Sequence, residues 1–290
     1  MFLKIFFIIL AILYQTTGYT KSNDKNDFNY KYLSSYFSAL ISFDNQKNNK
    51  ALEFFETSKY LKKKHNNYLK EYIFSLVLDG QINKAVNQIK TSGNSKNSNF
   101  FEAKLLMILD LINKKKYTKA SKIINSFNIS DENTYEFIIL NTLESFNNLF
   151  KNKKLQNSTR DFGKLSLIVN VFQNCYLNSN KTNRHFLNII NSAEGDYSRY
   201  LFFYLSNLIE NKDYKTAKQI SNTIEPFSSS LLISQTKEWV NKENYKKINK
   251  LFSCKNENDI LSEFFYLISN LYSSQYIFEI SNFYLGISNY

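Results

Sequence analysis

Residues 69–85 read LKEYIFSLVLDGQINKA, and this stretch decides the fold. Apolar side chains recur at spacings of three and four from Leu69 to Val77, which is the pattern of one face of an α-helix. Asp79-Gly80 interrupts the pattern, and a second apolar stripe begins at Ile82. The stretch therefore predicts two short helices joined by a tight turn.

The second stripe returns along the chain with a period close to 34 residues. Ala51 and Ala85 are 34 residues apart, Ala85 and Ala120 are 35 apart, and Ala217 follows after 97, nearly three repeats. The matching segments are Asn48–Ala51, Ile82–Ala85, Tyr117–Ala120 and Tyr214–Ala217, with Tyr245–Ile248 as a weaker fifth copy. A short helix cannot bury its apolar stripe alone, so we expect the units to stack, with the small Ala where paired helices cross.

Composition agrees with helices. The 290 residues are 43% hydrophobic, which is enough to bury a core, and they include six Gly and one Pro. All-β sandwiches and barrels need turn residues at nearly every strand connection, so they are excluded. The sequence predicts an all-α fold.

These marks resemble the tetratricopeptide repeat, a family of helix pairs with a 34-residue unit. The matching residues are Ala39, Ala51 and Phe55 in the first unit, Tyr117 with Ala120, Tyr214 with Ala217, and Pro226 near the terminal Pro of the family pattern. The chain departs from the pattern where the small first-helix site is Ile73, Ile108 or Leu205, and residues 150–185 carry no clear match. The resemblance implies a right-handed α-α solenoid.

Five regions follow from this interpretation. They are a signal peptide at 1–18, a disordered segment at 19–30, tetratricopeptide-like repeats at 31–128, degenerate helical repeats at 129–196, where an inserted helical hairpin is the alternative, and further repeats at 197–290. The last residues, Phe278–Tyr290, are predicted to be the first helix of an unfinished unit, with Gly286 at its small site. We therefore expect a chain truncated at its C-terminus.

The first residues predict export. Lys4 precedes an apolar run from Ile5 to Tyr14 that ends in small and polar residues up to Gly18, as in a secretory signal peptide whose removal leaves Tyr19 first. The run is half of the roughly 20 residues that a membrane-spanning helix needs, so no stable span is expected after cleavage. We expect a periplasmic or extracellular protein without a nucleic-acid partner. Export permits a disulfide, but two unpaired buried thiols at Cys175 and Cys254 are slightly favoured over a bridge.

No pattern for catalysis, a cofactor or a metal is present. His65 and His185 are the only histidines, neither has a second ligand at metal-binding spacing, and no glycine-rich phosphate loop occurs. The formal net charge of +12 attracts polyanions, but the runs Lys62–Lys64 and Lys114–Lys116 fall where helices end, and cations complement the negative end of the helix dipole there.

The family resemblance also implies a binding surface. Its ligands lie against the first helices of successive units, and carrying those positions over gives Tyr36, Asn67, Lys70, Phe74, Asn113, Arg199, Phe202 and Ser206. Among them, Lys70 and Arg199 suit an acidic peptide or a terminal carboxylate. The competing interpretation is that these are ordinary solvated side chains.

The leading functional hypothesis is a non-enzymatic scaffold of the cell envelope that binds a protein or peptide segment on its concave helical surface. The alternatives are the helical, non-catalytic part of a larger exported hydrolase and a basic surface that adsorbs anionic polymer. Salt separates the last from the first, because adsorption of a polyanion collapses as ionic strength rises.

Overall fold

The protein is all-α, as predicted. The computed structural model describes residues 29–93, 96–129, 131–132, 134–156, 160–192, 199–224 and 230–290, and these residues form fifteen α-helices. The helices are α1 (Tyr30–Asp44), α2 (Asn48–Thr57), α3 (Tyr68–Leu78), α4 (Ile82–Ser92), α5 (Phe101–Asn113), α6 (Tyr117–Ile124), α7 (Tyr135–Asn152), α8 (Lys164–Tyr176), α9 (Thr182–Ile190), α10 (Arg199–Glu210), α11 (Tyr214–Asn222), α12 (Leu231–Asn241), α13 (Tyr245–Leu251), α14 (Glu257–Ser274) and α15 (Phe278–Ser288). Short 3-10 turns at Lys59–Lys63 and Lys96–Ser98 follow α2 and α4.

The residues that repeat with the 34-residue period are buried in the core. Ala51, Ala85, Ala120, Ala217 and Ile248 are each the fourth residue of a second helix, in α2, α4, α6, α11 and α13. All five side chains have no exposed surface. The 34-residue period in the sequence therefore marks core contacts, because only a small or well-fitted side chain allows two packed helices this close approach.

The turns between paired helices repeat as well. In six pairs, a residue with positive φ lies two positions after the first helix ends and two before the second begins. These residues are Gln46, Gly80, Lys115, Lys212, Glu243 and Tyr276. The amide that follows each donates to a carbonyl five residues back, at 2.8 to 3.1 Å. This is the left-handed helix ending that satisfies otherwise unpaired carbonyls, and its recurrence gives these six pairs the same turn geometry.

Neighbours in sequence pack as pairs, α1 with α2, α3 with α4, α5 with α6, α8 with α9, α10 with α11, α12 with α13, and α14 with α15. This sequential pairing is consistent with a helical repeat. The stretch 150–185, which lacks the repeat pattern, contains the end of α7, all of α8 and the start of α9.

The C-terminal end departs from the prediction. Phe278–Ser288 was expected to be the first helix of an unfinished unit, but α15 is the second helix of a pair with α14. We call α14 and α15 together the C-terminal hairpin. It folds back onto the early part of the chain, where α15 packs against α3.

Gly286 lies at the closest point of that contact. A Cβ atom placed on Gly286 would come within 2.8 Å of Val77 Cγ1 and 3.0 Å of the Val77 carbonyl oxygen. No side chain fits at these distances without displacing α3. The need for a small residue at Gly286 thus comes from this contact, 209 residues away in sequence, and not from the first-helix small site of a further unit.

The expectation of two unpaired thiols is wrong. Cys175 and Cys254 form a disulfide, with 5.6 Å between their Cα atoms and 79 residues between them in sequence. The bridge ties the end of α8 to the linker that leads into the C-terminal hairpin. It is consistent with an oxidising, extracytoplasmic location.

None of the described helices combines the length and apolar character needed to cross a membrane. The predicted signal peptide at 1–18, most of the segment at 19–30, and Pro226 lie outside the described residues.

Candidate partner-binding groove

Four helices contact the C-terminal hairpin. Three of them, α3, α5 and α10, are the first helices of pairs, and the fourth, α7, lies between two pairs in the sequence. We define the groove as the faces of α3, α5, α7 and α10 that touch α14 or α15. Three of the residues to which the family resemblance assigned a ligand, Phe74, Asn113 and Arg199, lie in this groove, and the chain's own hairpin fills it.

Aromatic and aliphatic contacts hold α15 against α3 and α5. The rings of Phe74 and Phe283 stack with centroids 4.4 Å apart. On the α5 side, Asn113 lies beside Leu261 and Ile287 around a cavity of about 20 Å³. A cavity of that size holds at most a water molecule, so the hairpin fills this part of the groove without leaving room for a ligand.

The α7 wall of the groove is aromatic. Phe146 meets Phe264 edge to face at 6.1 Å, and Tyr135 meets Tyr272 edge to face at 4.9 Å. Tyr135 is the first residue of α7 and Tyr272 is near the end of α14, so the two helices run antiparallel. Such aromatic pairs contribute about 0.5–1.5 kcal/mol each beyond the area they bury.

Arg199, at the start of α10, binds the hairpin through a two-pronged ion pair. Its Nε donates to Glu263 Oε1 at 3.0 Å and its Nη2 donates to Glu263 Oε2 at 2.7 Å. The guanidinium also lies 4.2 Å from the ring centroid of Tyr266. Burial raises the pKa of Glu263, and Arg199 opposes the shift without cancelling it. Breaking the pair by removing one partner would leave a charge buried without compensation.

A second carboxylate, Glu257, is enclosed at the N-terminus of α14, six positions before Glu263, and is 5% exposed. We call its partners the carboxylate cage. The hydroxyls of Tyr117 and Tyr176 donate to it at 2.8 Å, and the ammonium groups of Lys153 and Lys115 lie 3.3 and 3.5 Å away. Burial raises the pKa of Glu257, but these hydroxyls and cations outweigh burial and hold the pKa below its ordinary value. Glu257 is the first residue of α14, so the helix dipole favours its charge as well.

The cage is built from residues at helix ends. Tyr117 begins α6, Lys115 is the positive-φ residue of the turn before it, Lys153 follows α7 with positive φ, and Tyr176 ends α8. Residues at one end of α6, α7 and α8 therefore meet at one point, where α14 begins.

The linker into the hairpin is fixed by α10. The hydroxyl of Ser206 donates to the Phe252 carbonyl at 2.7 Å, and Phe252 packs on Phe203 with centroids 4.5 Å apart and more loosely on Phe202. Cys254, two residues further on, carries the disulfide.

Five of the eight predicted binding residues thus meet residues 252–290 of the same chain. They are Phe74, Asn113, Arg199, Phe202 and Ser206. The expectation of an open surface is wrong, because Phe74, Phe202 and Ser206, with Tyr36, are buried. The alternative of solvated side chains fails for the same residues.

The other three predicted residues lie elsewhere. Tyr36 packs against Tyr68 and His65 within the first helix pairs. Asn67 is exposed just before α3, and Lys70 lies 5.4 Å from the ring of Phe74 at the edge of the groove.

Sequence reasoning missed the cage and Glu263. One signal was available: Phe278 lies 33 residues after Tyr245 and has the small Ser281 three residues later, which matches the second-helix pattern. Applying it would have made α15 a second helix and Glu257–Ser274 its partner. The pairing of Glu257 with Tyr117, 140 residues earlier, has no local signal.

At the opposite end of the hairpin, four helices begin together with a glutamate in the first turn, namely Glu71, Glu102, Glu136 and Glu279. Burial, followed by the charge of Glu279, raises the pKa of Glu71. Burial chiefly raises the pKa of Glu102, with Glu136 and Glu279 adding to it. Within the described ranges, no group of three or more His, Cys, Asp or Glu is placed to hold a metal ion.

Comparison with protein-family models, curated protein sequences and solved structures found no match to this chain.

Proposed function

We propose that this protein is a non-enzymatic scaffold of the cell envelope, built as a right-handed stack of tetratricopeptide-like helix pairs, which binds a helical segment of a protein partner in its groove. In the state described, the C-terminal hairpin occupies that site. A partner gains access when the hairpin leaves.

One observation carries the proposal. Three of the positions that the resemblance assigns to ligand binding, Phe74, Asn113 and Arg199, face the helices of the hairpin here, and Arg199 pairs with a carboxylate of the same chain. The groove offers aromatic and ionic side chains to the two helices of the hairpin. Recognition of a helix in a groove uses side chains of these kinds.

Export rests on the apolar stretch after Lys4 and on the disulfide. The disulfide supports an oxidising compartment, where such bridges persist.

Ion pairs at the basic run Lys114–Lys116 weaken the argument that this run adsorbs an anionic polymer. Lys114–Lys116 follow α5 directly, as predicted, and two of the three are in ion pairs, Lys114 with Asp110 at 2.5 Å and Lys115 with Glu257. The cations of this run thus face carboxylates of the same chain, which leaves less positive potential for a polyanion.

The test is a pull-down from envelope extract with the mature chain from Tyr19. Glu263→Arg places an arginine opposite Arg199 and should open the hairpin, whereas Glu238→Arg makes the same charge change on an exposed residue of α12. We expect Glu263→Arg to capture one defined protein in saturable amounts, several-fold above wild type and Glu238→Arg, and to retain it in about 0.5 M salt.

Adding Arg199→Glu to Glu263→Arg restores an opposite-charge pair, so this double variant should close again and lose the captured protein. Equal capture by all four proteins, or polymer that elutes with salt, would contradict the scaffold.

A further inference from the structure

The hairpin and the groove divide their charges unequally. The hairpin supplies two carboxylates, Glu257 and Glu263, which are 5% and 3% exposed. The groove and its rim supply the groups that bind them, namely Arg199 and the carboxylate cage. We therefore treat each carboxylate as a ligand group and each set of partners as its binding site.

The spacing of the two carboxylates fits a helical peptide and does not fit an extended one. Six residues separate them, which is about 9 Å along a helix and about 20 Å along an extended strand. The six residues also rotate the second carboxylate to another face, so that Glu257 points to the ends of α6 and α8 while Glu263 points to α10. An extended peptide cannot reach both sites with this spacing.

An aromatic residue follows the second carboxylate. Phe264, 2% exposed, meets Phe146 on the α7 wall, and Tyr266 covers the guanidinium of Arg199. The ring of Tyr266 shields one face of the Arg199 guanidinium from water, which strengthens the attraction of Arg199 for a carboxylate.

We propose that the groove selects an acidic amphipathic helix in trans: a protein helix with a carboxylate in its first turn, a second carboxylate six residues later and an aromatic residue next to it. The C-terminal hairpin is the built-in competitor of that helix. This inference rests on the proposed function and deepens it by naming the chemistry of the partner.

The test is a charge exchange between full-length protein and a labelled synthetic peptide of residues 256–275, which contains α14. Two proteins with a loosened hairpin are used, Glu263→Arg, which keeps Arg199, and Arg199→Glu, which keeps Glu263. Two peptides are used, the natural one and one with Glu263→Arg. Binding is measured by fluorescence anisotropy.

We expect the Glu263→Arg protein to bind the natural peptide and the Arg199→Glu protein to bind the exchanged peptide, each at least 10-fold tighter than the mismatched combination. Wild-type protein, whose groove is filled, should bind either peptide at least 10-fold more weakly than the matched variant. Adding Glu257→Gln to either peptide should lower its affinity for the matched protein, because the cage then faces no charge.

A reciprocal preference cannot arise from unfolding, since each protein serves as the control for the other. Equal affinities across the four combinations, or no binding while both variants keep cooperative unfolding, would overturn the inference. If the extract yields a defined partner but the peptides show no charge preference, the scaffold stands and the acidic-helix inference fails. If the peptides show the expected charge preference but the extract yields no partner, the acidic-helix inference stands and the scaffold proposal fails.

Discussion

At the residue scale, a few side chains decide how closely the elements approach. Ala51, Ala85, Ala120 and Ala217 could be predicted from the sequence, because a small residue at a regular period has one physical reason, helix crossing. The contacts of Gly286, Glu257 and Glu263 could not, because their partners are 64 to 209 residues away and leave no periodic trace.

Gly286 tests the fit of the hairpin. In an isolated helix Gly→Ala stabilises by about 0.5–1 kcal/mol, but here the new Cβ meets the Val77 carbonyl. We expect Gly286→Ala to lower the free energy of unfolding by about 1–3 kcal/mol, as overpacking does, in urea unfolding monitored by circular dichroism. Asn282→Ala, exposed on the same helix, is the control and should be neutral or slightly stabilising. A gain in stability for both would show that α15 does not contact α3 as described.

Glu257 tests the cage through pH. Its pKa is lowered in the folded state, so its stabilising contribution is present above the ordinary value near 4.5 and is lost as pH falls through the lower, folded value. We expect Glu257→Gln to be less stable than wild type at pH 6, and the difference to shrink below about pH 4.5. Unfolding midpoints measured from pH 6 to pH 3 check this. A difference that does not change with pH would mean that Glu257 is not ionised in the cage.

At the element scale, the repeated unit is a helix, a left-handed turn and a second helix. The sequence identified the turn at Asp79-Gly80, where Gly marks it, and placed a helix end at Lys114–Lys116. It did not indicate the positive φ of Lys115, Lys212 or Tyr276, because these are ordinary residues. The period supplied by the second helices compensated for that missing signal. It failed after Tyr245, because Ser281 replaces Ala and pairs with Ser269 through hydroxyl hydrogen bonds.

The turns predict opposite effects for two substitutions. Gly80 has φ of 72° with open space around it, so Gly80→Ala should cost about 1 kcal/mol of stability from backbone strain alone. Lys212 has φ of 63° and is exposed, so Lys212→Gly should relieve similar strain and raise the unfolding midpoint slightly. Thermal unfolding compares the two. If both substitutions raised the unfolding midpoint, or both lowered it, the two turns would not share one geometry.

At the scale of the whole molecule, the all-α class and the sequential pairing followed from composition and period, whereas the fold-back of the C-terminal hairpin did not. Local patterns report which residues are buried but not which distant helix buries them. The family resemblance therefore pointed to three residues of the groove, Phe74, Asn113 and Arg199, whereas the α7 wall and the segment that fills the groove were found only from the structure.

The disulfide should hold the hairpin at its root. Dithiothreitol reduces the bridge to two thiols and is itself oxidised to its cyclic disulfide. Because the bridge closes a loop of 79 residues, we expect its loss to cost about 2–5 kcal/mol of stability and to make the segment after Cys254 the first site of limited proteolysis. The Cys175→Ser, Cys254→Ser variant should match the reduced wild type. Unchanged proteolysis would show that contacts in the groove hold the hairpin without the bridge.

Hydrogen exchange by mass spectrometry on the mature chain tests most directly whether the hairpin is a separable occupant of the groove. Glu263→Arg should speed exchange in Glu257–Ser288 and in the facing helices α3 and α5, while α1 and α2 exchange as in wild type. The control variant Glu238→Arg should change neither region. If exchange became faster throughout the chain, or did not become faster in the hairpin, then α14 and α15 would belong to one cooperative core. The hairpin would then not be a separable occupant of the groove.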